Sequence, residues 1–140
     1  MMTVDWSNGW SGETRSLRTT RKLARTLARH LGVGKVLGLV GELGAGKTSF
    51  VQGLAEGAGV HDLGQVLSPT YTLVNEYPAA MGLLVHIDFY RLKDEESARA
   101  LGVDEHLGRP DALTVVEWAD HLPDLMPPDA AWGRLTRLTP

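Results

Sequence analysis

The sequence has no cysteine, no strong charge imbalance and no long apolar run. Without cysteine, disulfides, thiol catalysis and zinc sites built from cysteine are excluded. The formal net charge of −3 excludes a strongly basic nucleic-acid binder, so we expect no DNA partner. No apolar stretch reaches membrane-spanning length, and residues 1–16 lack a signal-peptide pattern. We therefore expect a cytoplasmic protein with no membrane partner.

The chain has 140 residues, enough for one domain that buries about two thirds of its unfolded surface. We expect residues 1–140 to form a single domain, with a poorly patterned segment at 1–16 and a proline-rich tail at 123–140 that holds a possible last strand. A small-molecule kinase would need a lid with arginines, and we expect no room for one.

Glycines are concentrated in residues 41–48, which read G-E-L-G-A-G-K-T and satisfy the phosphate-loop pattern G-x-x-x-x-G-K-[ST]. Such glycines let successive backbone N–H groups turn inward and cradle phosphate oxygens. Lys47 adds a cation for the terminal phosphates, and Thr48 adds a hydroxyl for magnesium. An apolar run precedes the loop and a helical segment follows it, as the motif requires. The predicted nucleotide-contacting residues are Glu42, Leu43, Gly44, Ala45, Gly46, Lys47, Thr48, Ser49 and Trp118.

Hydrophobic periodicity predicts an α/β fold, a three-layer sandwich like that of phosphate-loop NTPases, with a mixed sheet. The short turn between two of the strands predicts an antiparallel pair. The Asn-Gly at the centre of residues 6–10 is typical of a hairpin turn. The predicted elements are helices at 17–31, from 49 to Gly57 or Gly59, and at 95–101, and strands at 36–40, 71–77, 83–87, 113–116 and 132–138.

Two of the apolar strands end in an acid, namely Asp88 and Glu117. Ligands of open α/β sheets lie outside the carboxyl ends of the strands, so both acids should converge on the phosphate loop. The alternative is a polar residue at a surface edge. We predict Thr48, Glu117 and Asp88 as magnesium ligands, with Asp88 in the outer shell or on the attacking water. Trp118, which follows Glu117, belongs either to the core or near the base.

Catalysis is predicted to involve Lys47, Asp88, Glu117 and Thr70. Thr70 lies in a turn restrained by Pro69, where a hydroxyl could sense the terminal phosphate as a switch segment does. The alternative for Thr70 is a strand-initiating turn with an incidental hydroxyl. His86 shares a strand face with Asp88, and a hydrogen-bonded strand histidine is the favoured interpretation.

The first predicted helix carries five basic residues that we place opposite its apolar face. They are Arg18, Arg21, Lys22, Arg25 and Arg29. Such a stripe is either a solvated helix face or a docking surface for RNA or an acidic partner.

Four motifs occur in order: the phosphate loop at 41–48, S-P-T-Y-T-L-V-N-E-Y at 68–77, H-I-D-F-Y-R-L at 86–92 and V-E-W at 116–118. Together they resemble the bacterial TsaE (YjeE) family, the small ATPase of tRNA threonylcarbamoyladenosine biosynthesis. Phe89 stands where that family commonly has leucine. The resemblance implies ATP with Mg²⁺, weak hydrolysis, and assembly with TsaB and TsaD, with tRNA reached indirectly through that complex.

Two other functions remain open from the residues themselves. A GTPase-like switch shares the loop and the threonine, but it would be expected to carry an Asn-Lys-x-Asp segment, and the sequence has none. A nucleotide-gated assembly module would have the same motifs with hydrolysis as an incidental property.

Overall fold

The sheet has seven strands in the computed structural model, which describes residues 2–6, 11–41, 46–66 and 73–137. The strands are β1 (Met2–Trp6), β2 (Ser11–Thr14), β3 (Val36–Gly41), β4 (Val74–Ala79), β5 (Gly82–Asp88), β6 (Ala112–Glu117) and β7 (Ala131–Arg137). They lie in the order β2-β1-β7-β3-β6-β5-β4. The central four are parallel, and the outer pairs at both edges are antiparallel. The predicted mixed α/β sheet is confirmed.

Three α-helices accompany the sheet: α1 (Leu17–Leu31), α2 (Lys47–Ala58) and α3 (Glu95–Ala100). The Ser16 hydroxyl caps α1 by accepting from the Thr19 N–H at 3.1 Å. Helix α2 ends at Ala58 and is capped by Gly59, the later of the two predicted stops, where φ is 80°. None of the helices within the described ranges is long and apolar enough to cross a membrane.

Alternating side chains of the central strands build one apolar layer on each face of the sheet. Leu37 and Leu39 of β3 pack with α1 and α2, whereas Val36 and Val40 pack on the opposite face. That second face is covered by α3 and by short 3-10 helices at Val103–His106, Ala119–His121 and Pro123–Leu125. Both faces of the parallel strands are therefore buried, which gives the three predicted layers.

Helices α1 and α2 approach closely because α2 lacks side chains where they meet. A Cβ built on Gly53 would collide with the Arg21 carbonyl oxygen, and one on Gly57 would collide with that of Arg25. Small residues at this contact thus fix α2, and with it the start of α2, against α1.

Strands β1 and β2 occupy much of residues 1–16, which we expected to be poorly patterned. They pair with each other antiparallel from Met2↔Thr14 to Asp5↔Ser11, and β1 also pairs with β7. That pairing suits a hairpin, although the predicted turn at 7–10 lies outside the described residues. The predicted last strand is confirmed as β7, except that Leu138 lies outside the described residues.

Two of the five basic residues of α1 contact α2, and the choice between a solvated face and a docking surface stays a prediction. Arg21 donates to Gln52 Oε1 at 2.9 Å and lies 3.8 Å from Glu56, and Arg25 lies 3.7 Å from the same carboxylate. The acid and amide of α2 draw these two guanidinium groups into the contact between the helices. Only Arg18, Lys22 and Arg29 are exposed.

Candidate functional site

The parallel strands bring the loop and both predicted acids to one edge of the sheet. β3, β5 and β6 run in the same direction, so their carboxyl ends meet there. Asp88 and Glu117 are directly opposite each other in register, and Glu117 is opposite Leu39, two residues before Gly41. The two acids therefore lie next to each other on one side of the point where β3 enters the phosphate-loop sequence.

Glycine is required at both described ends of that loop. Gly41 has φ 142°, and a Cβ there would collide with the Leu135 carbonyl oxygen of β7. Gly46 precedes α2 in the left-handed conformation, with φ 90° and ψ 17°. The intervening Glu42, Leu43, Gly44 and Ala45 lie outside the described residues, as does Thr70, so their predicted roles stay predictions.

The Lys47 side chain is held at the mouth of the loop. It is only 6% exposed, and its Nζ donates to the Gly41 carbonyl oxygen at 3.4 Å. The same Nζ lies 4.4 Å from the centre of the Trp118 ring, within range of a cation–π interaction. Thr48 is exposed beside it, and Ser49 is buried. Trp118 thus lies at the lysine end of the site, and its contact to the base stays a prediction.

Trp118 has an unusual backbone conformation, which the sequence did not reveal. Its φ of 58° makes it the only non-glycine residue with positive φ in the described part of the chain. A bulky side chain in this conformation is strained, and such strain clusters at functional sites. The Tyr90 ring packs on Trp118 with centroids 4.9 Å apart, while Tyr90 itself remains 58% exposed. These contacts join the ends of β5 and β6.

Asp88 is a partly buried acid with a raised pKa. Burial raises the pKa of Asp88 most, and the nearby Glu117 charge raises it further. The Tyr90 N–H, which donates to Asp88 Oδ1 at 2.8 Å, lowers the pKa, as do His86 and Lys47, without cancelling the rise. The ionised form of Asp88 is therefore disfavoured until a further cation reaches it.

We expect Asp88→Asn to raise the thermal stability of the nucleotide-free protein near neutral pH. With the folded-state pKa of Asp88 raised above 3.8, the folded protein holds the proton more tightly than the unfolded chain. Stability is therefore lost as pH rises through the folded-state pKa of Asp88. Asparagine avoids that loss and still accepts from Tyr90.

Thermal unfolding of both proteins at about pH 3 and about pH 7 measures this effect, since the difference should appear only at the higher pH. Asp111→Asn is the matched control, for which the expected change in stability at neutral pH has the opposite sign. Hydrogen bonds from Arg109 lower the pKa of Asp111, so its replacement should destabilise at neutral pH. A lower melting temperature for Asp88→Asn at neutral pH would contradict the assigned direction.

Glu117 is paired with a buried histidine on the neighbouring strand. His86 Nε2 lies 2.6 Å from Glu117 Oε2, and the two side chains are 1% and 8% exposed. The sequence favoured a hydrogen-bonded strand histidine, and His86 Nε2 has such a partner. His86 Nδ1, however, is buried and has no hydrogen-bond partner in the described part of the protein.

The oxygen donors at this edge fit magnesium bound together with a nucleotide. Among the described residues, no cluster of three or more His, Cys, Asp or Glu is arranged to hold a metal by itself. Mg²⁺, however, usually takes one or two carboxylates together with substrate phosphates and water. Asp88, Glu117 and the Thr48 hydroxyl supply donors of that kind. A cation between the two acids would offset the burial that mainly raises the Asp88 pKa and the repulsion from Glu117 that adds to it.

Comparison with known proteins adds a family assignment to this geometry. The family model described as "Threonylcarbamoyl adenosine biosynthesis protein TsaE" matches residues 14–138. The tRNA threonylcarbamoyladenosine biosynthesis protein TsaE of Synechocystis is 41% identical over 111 residues, which cover 78% of this chain and 69% of that protein. The Bacillus subtilis protein of that name is 40% identical over 108 residues, covering 77% of this chain and 65% of the relative.

A solved structure shows the same architecture. The crystal structure of Bacillus subtilis YdiB superposes with a TM-score of 0.72 at 27% identity, covering 100% of this chain and 80% of the other. The family assignment rests on the extent of the family match and on the sequence identity to several relatives, and the shared fold agrees with it. This chain belongs to the TsaE family of tRNA threonylcarbamoyladenosine biosynthesis proteins.

Proposed function

We propose that this protein binds ATP with Mg²⁺ and hydrolyses it weakly, in support of the threonylcarbamoyl modification of tRNA adenosine beside the anticodon. One observation carries the proposal: Lys47, Asp88 and Glu117 meet at the carboxyl edge of the parallel strands, where β3 enters a phosphate-loop sequence. Backbone amides and a helix start supply the anion site, and the acids supply the metal side.

The described residues divide the work between phosphate and metal. Lys47 is a buried cation that contacts Gly41 and Trp118. When ATP binds, its terminal phosphates would replace these contacts. Thr48 and Glu117 would hold Mg²⁺, whose charge neutralises the transferring phosphoryl group. Asp88 would act in the outer shell or orient the attacking water. Thr70 would complete the site as a switch residue.

The partner proteins that we propose are TsaB and TsaD, with tRNA reached through that complex in the cytoplasm. The family named for tRNA threonylcarbamoyladenosine biosynthesis supports the pathway. Weak hydrolysis alone would fit a site in which burial disfavours the ionised form of Asp88 and in which Lys47 contacts Trp118 before nucleotide binds. Assembly with partners would then be the step that makes turnover productive.

Hydrolysis measured with ATP and GTP, alone and with TsaB and TsaD, tests the proposal. We expect slow ATP turnover alone, a clear increase with both partners, and little turnover of GTP. ATP-dependent association with the partners in the absence of any turnover would instead indicate a nucleotide-gated assembly module. A preference for GTP would indicate a GTPase-like switch.

A further inference from the structure

The pairing of His86 with Glu117 follows from the faces of two neighbouring strands. Leu84 on β5 and Leu113 and Val115 on β6 pack in the layer beneath α1 and α2. By the two-residue period of a strand, His86 and Glu117 extend that same face toward the loop. In register His86 is opposite Val115, so the histidine reaches diagonally to the acid at the strand end. The contact is thus fixed by the sheet itself.

The chemistry of the two groups gives the direction of the hydrogen bond. Because a carboxylate can only accept, His86 donates to Glu117 Oε2 when its imidazole carries the proton on Nε2. The separation of 2.6 Å is short, as is usual when one group is charged. His86 Nδ1 has no hydrogen-bond partner in the described residues, although the side chain is almost fully buried. Burying an unpaired nitrogen is unfavourable, and an apolar residue would fill the space without that cost.

We propose that His86 is a positioning residue that orients the Glu117 carboxylate for the magnesium and phosphate side of the site. The inference rests on the proposed ATPase function and adds a residue to it. By fixing Oε2, the imidazole N–H sets the rotation of the carboxylate and so the direction in which Glu117 presents its charge. Hydrogen-bond partners of metal-linked acids commonly act in this way.

Three substitutions separate positioning from packing. His86→Gln places an amide N–H at about the reach of Nε2, whereas His86→Asn places one at about the reach of Nδ1. His86→Leu fills the space without any donor. All three side chains differ from the imidazole ring in size and shape, so thermal unfolding of each variant reports its change in packing. Only the glutamine can restore the bond to Glu117.

The measurements are ATP affinity with and without Mg²⁺ and the turnover rate, each on the full chain with its partners. Mg²⁺ should raise the ATP affinity of the wild type. We expect His86→Asn and His86→Leu to lower this gain in affinity by about 10–100-fold and to lower the turnover rate by a similar factor. His86→Gln should recover most of both. ATP affinity in the absence of Mg²⁺ should be unchanged in all three variants.

A double substitution tests whether His86 acts through Glu117. In a Glu117→Gln background, His86→Leu should change neither the Mg²⁺ effect nor the turnover rate further, because coupled residues are not additive. The positioning role would be overturned if the effects of the two substitutions were fully additive. It would also be overturned if His86→Asn and His86→Gln behaved equally while the wild type responded to Mg²⁺. Either result would leave the proposed ATPase function standing. A wild-type protein without Mg²⁺-dependent ATP binding would overturn the proposed function and this inference with it.

Discussion

Lys47→Ala should lower both ATP affinity and turnover, by about 10²–10³-fold, comparable to the removal of one preorganised charge-stabilising donor. The side chain lies at the start of α2 with its ammonium group near the loop and only 6% of the residue exposed.

The fold should survive this substitution with a modest loss of stability. Alanine removes one hydrogen bond to Gly41 and one cation–π contact to Trp118, together about 1–2 kcal/mol. Circular dichroism and thermal unfolding check the fold, while calorimetric titration measures the affinity. Lys35→Ala is the matched control, since Lys35 is exposed just before β3 at the opposite end of that strand. Wild-type turnover in Lys47→Ala would refute the phosphate-loop role.

Glu117→Gln and Asp88→Asn should differ in phenotype although both acids end neighbouring strands. If Glu117 is linked to Mg²⁺, its replacement should weaken Mg²⁺-dependent ATP binding by roughly 10–100-fold. If Asp88 orders water or the outer shell, Asp88→Asn should bind ATP nearly as well as wild type and hydrolyse it more slowly.

Titrating Mg²⁺ against ATP affinity in both variants, followed by single-turnover hydrolysis, distinguishes the two roles. The asymmetry of their surroundings supports the division. Glu117 Oε2 is hydrogen-bonded to His86 Nε2 at 2.6 Å. Asp88 instead accepts a hydrogen bond from the Tyr90 N–H, and its pKa is raised, mainly by burial. The same Mg²⁺ dependence in wild type and both variants would remove the basis for assigning different roles.

The sequence predicted the elements that have strong local signals. Apolar runs identified β3, β5 and β6, and the acids at their ends lie together because parallel strands end at one edge. Strands β1 and β2 were missed although Met2, Val4 and Trp6 alternate with polar residues, because such a short alternation is a weak signal.

Other features depend on contacts between distant elements and carry no local signal. The His86–Glu117 pair depends on β5 and β6 being neighbours, which neither segment specifies alone. The engagement of Arg21 and Arg25 depends on α2 placing Glu56 beside α1, which the glycines at 53 and 57 permit. The left-handed backbone of Trp118 is set by its surroundings, since tryptophan has no preference for it.

The central claim is a magnesium-dependent ATP site at the carboxyl edge of the parallel strands, and calorimetric titration of ATP into the full chain with and without Mg²⁺ tests it most directly. We expect one site per chain whose affinity rises at least about tenfold with Mg²⁺, with that binding lost in Lys47→Ala and retained in Lys35→Ala. Absence of ATP binding in wild type, or equal binding in Lys47→Ala, would contradict the account.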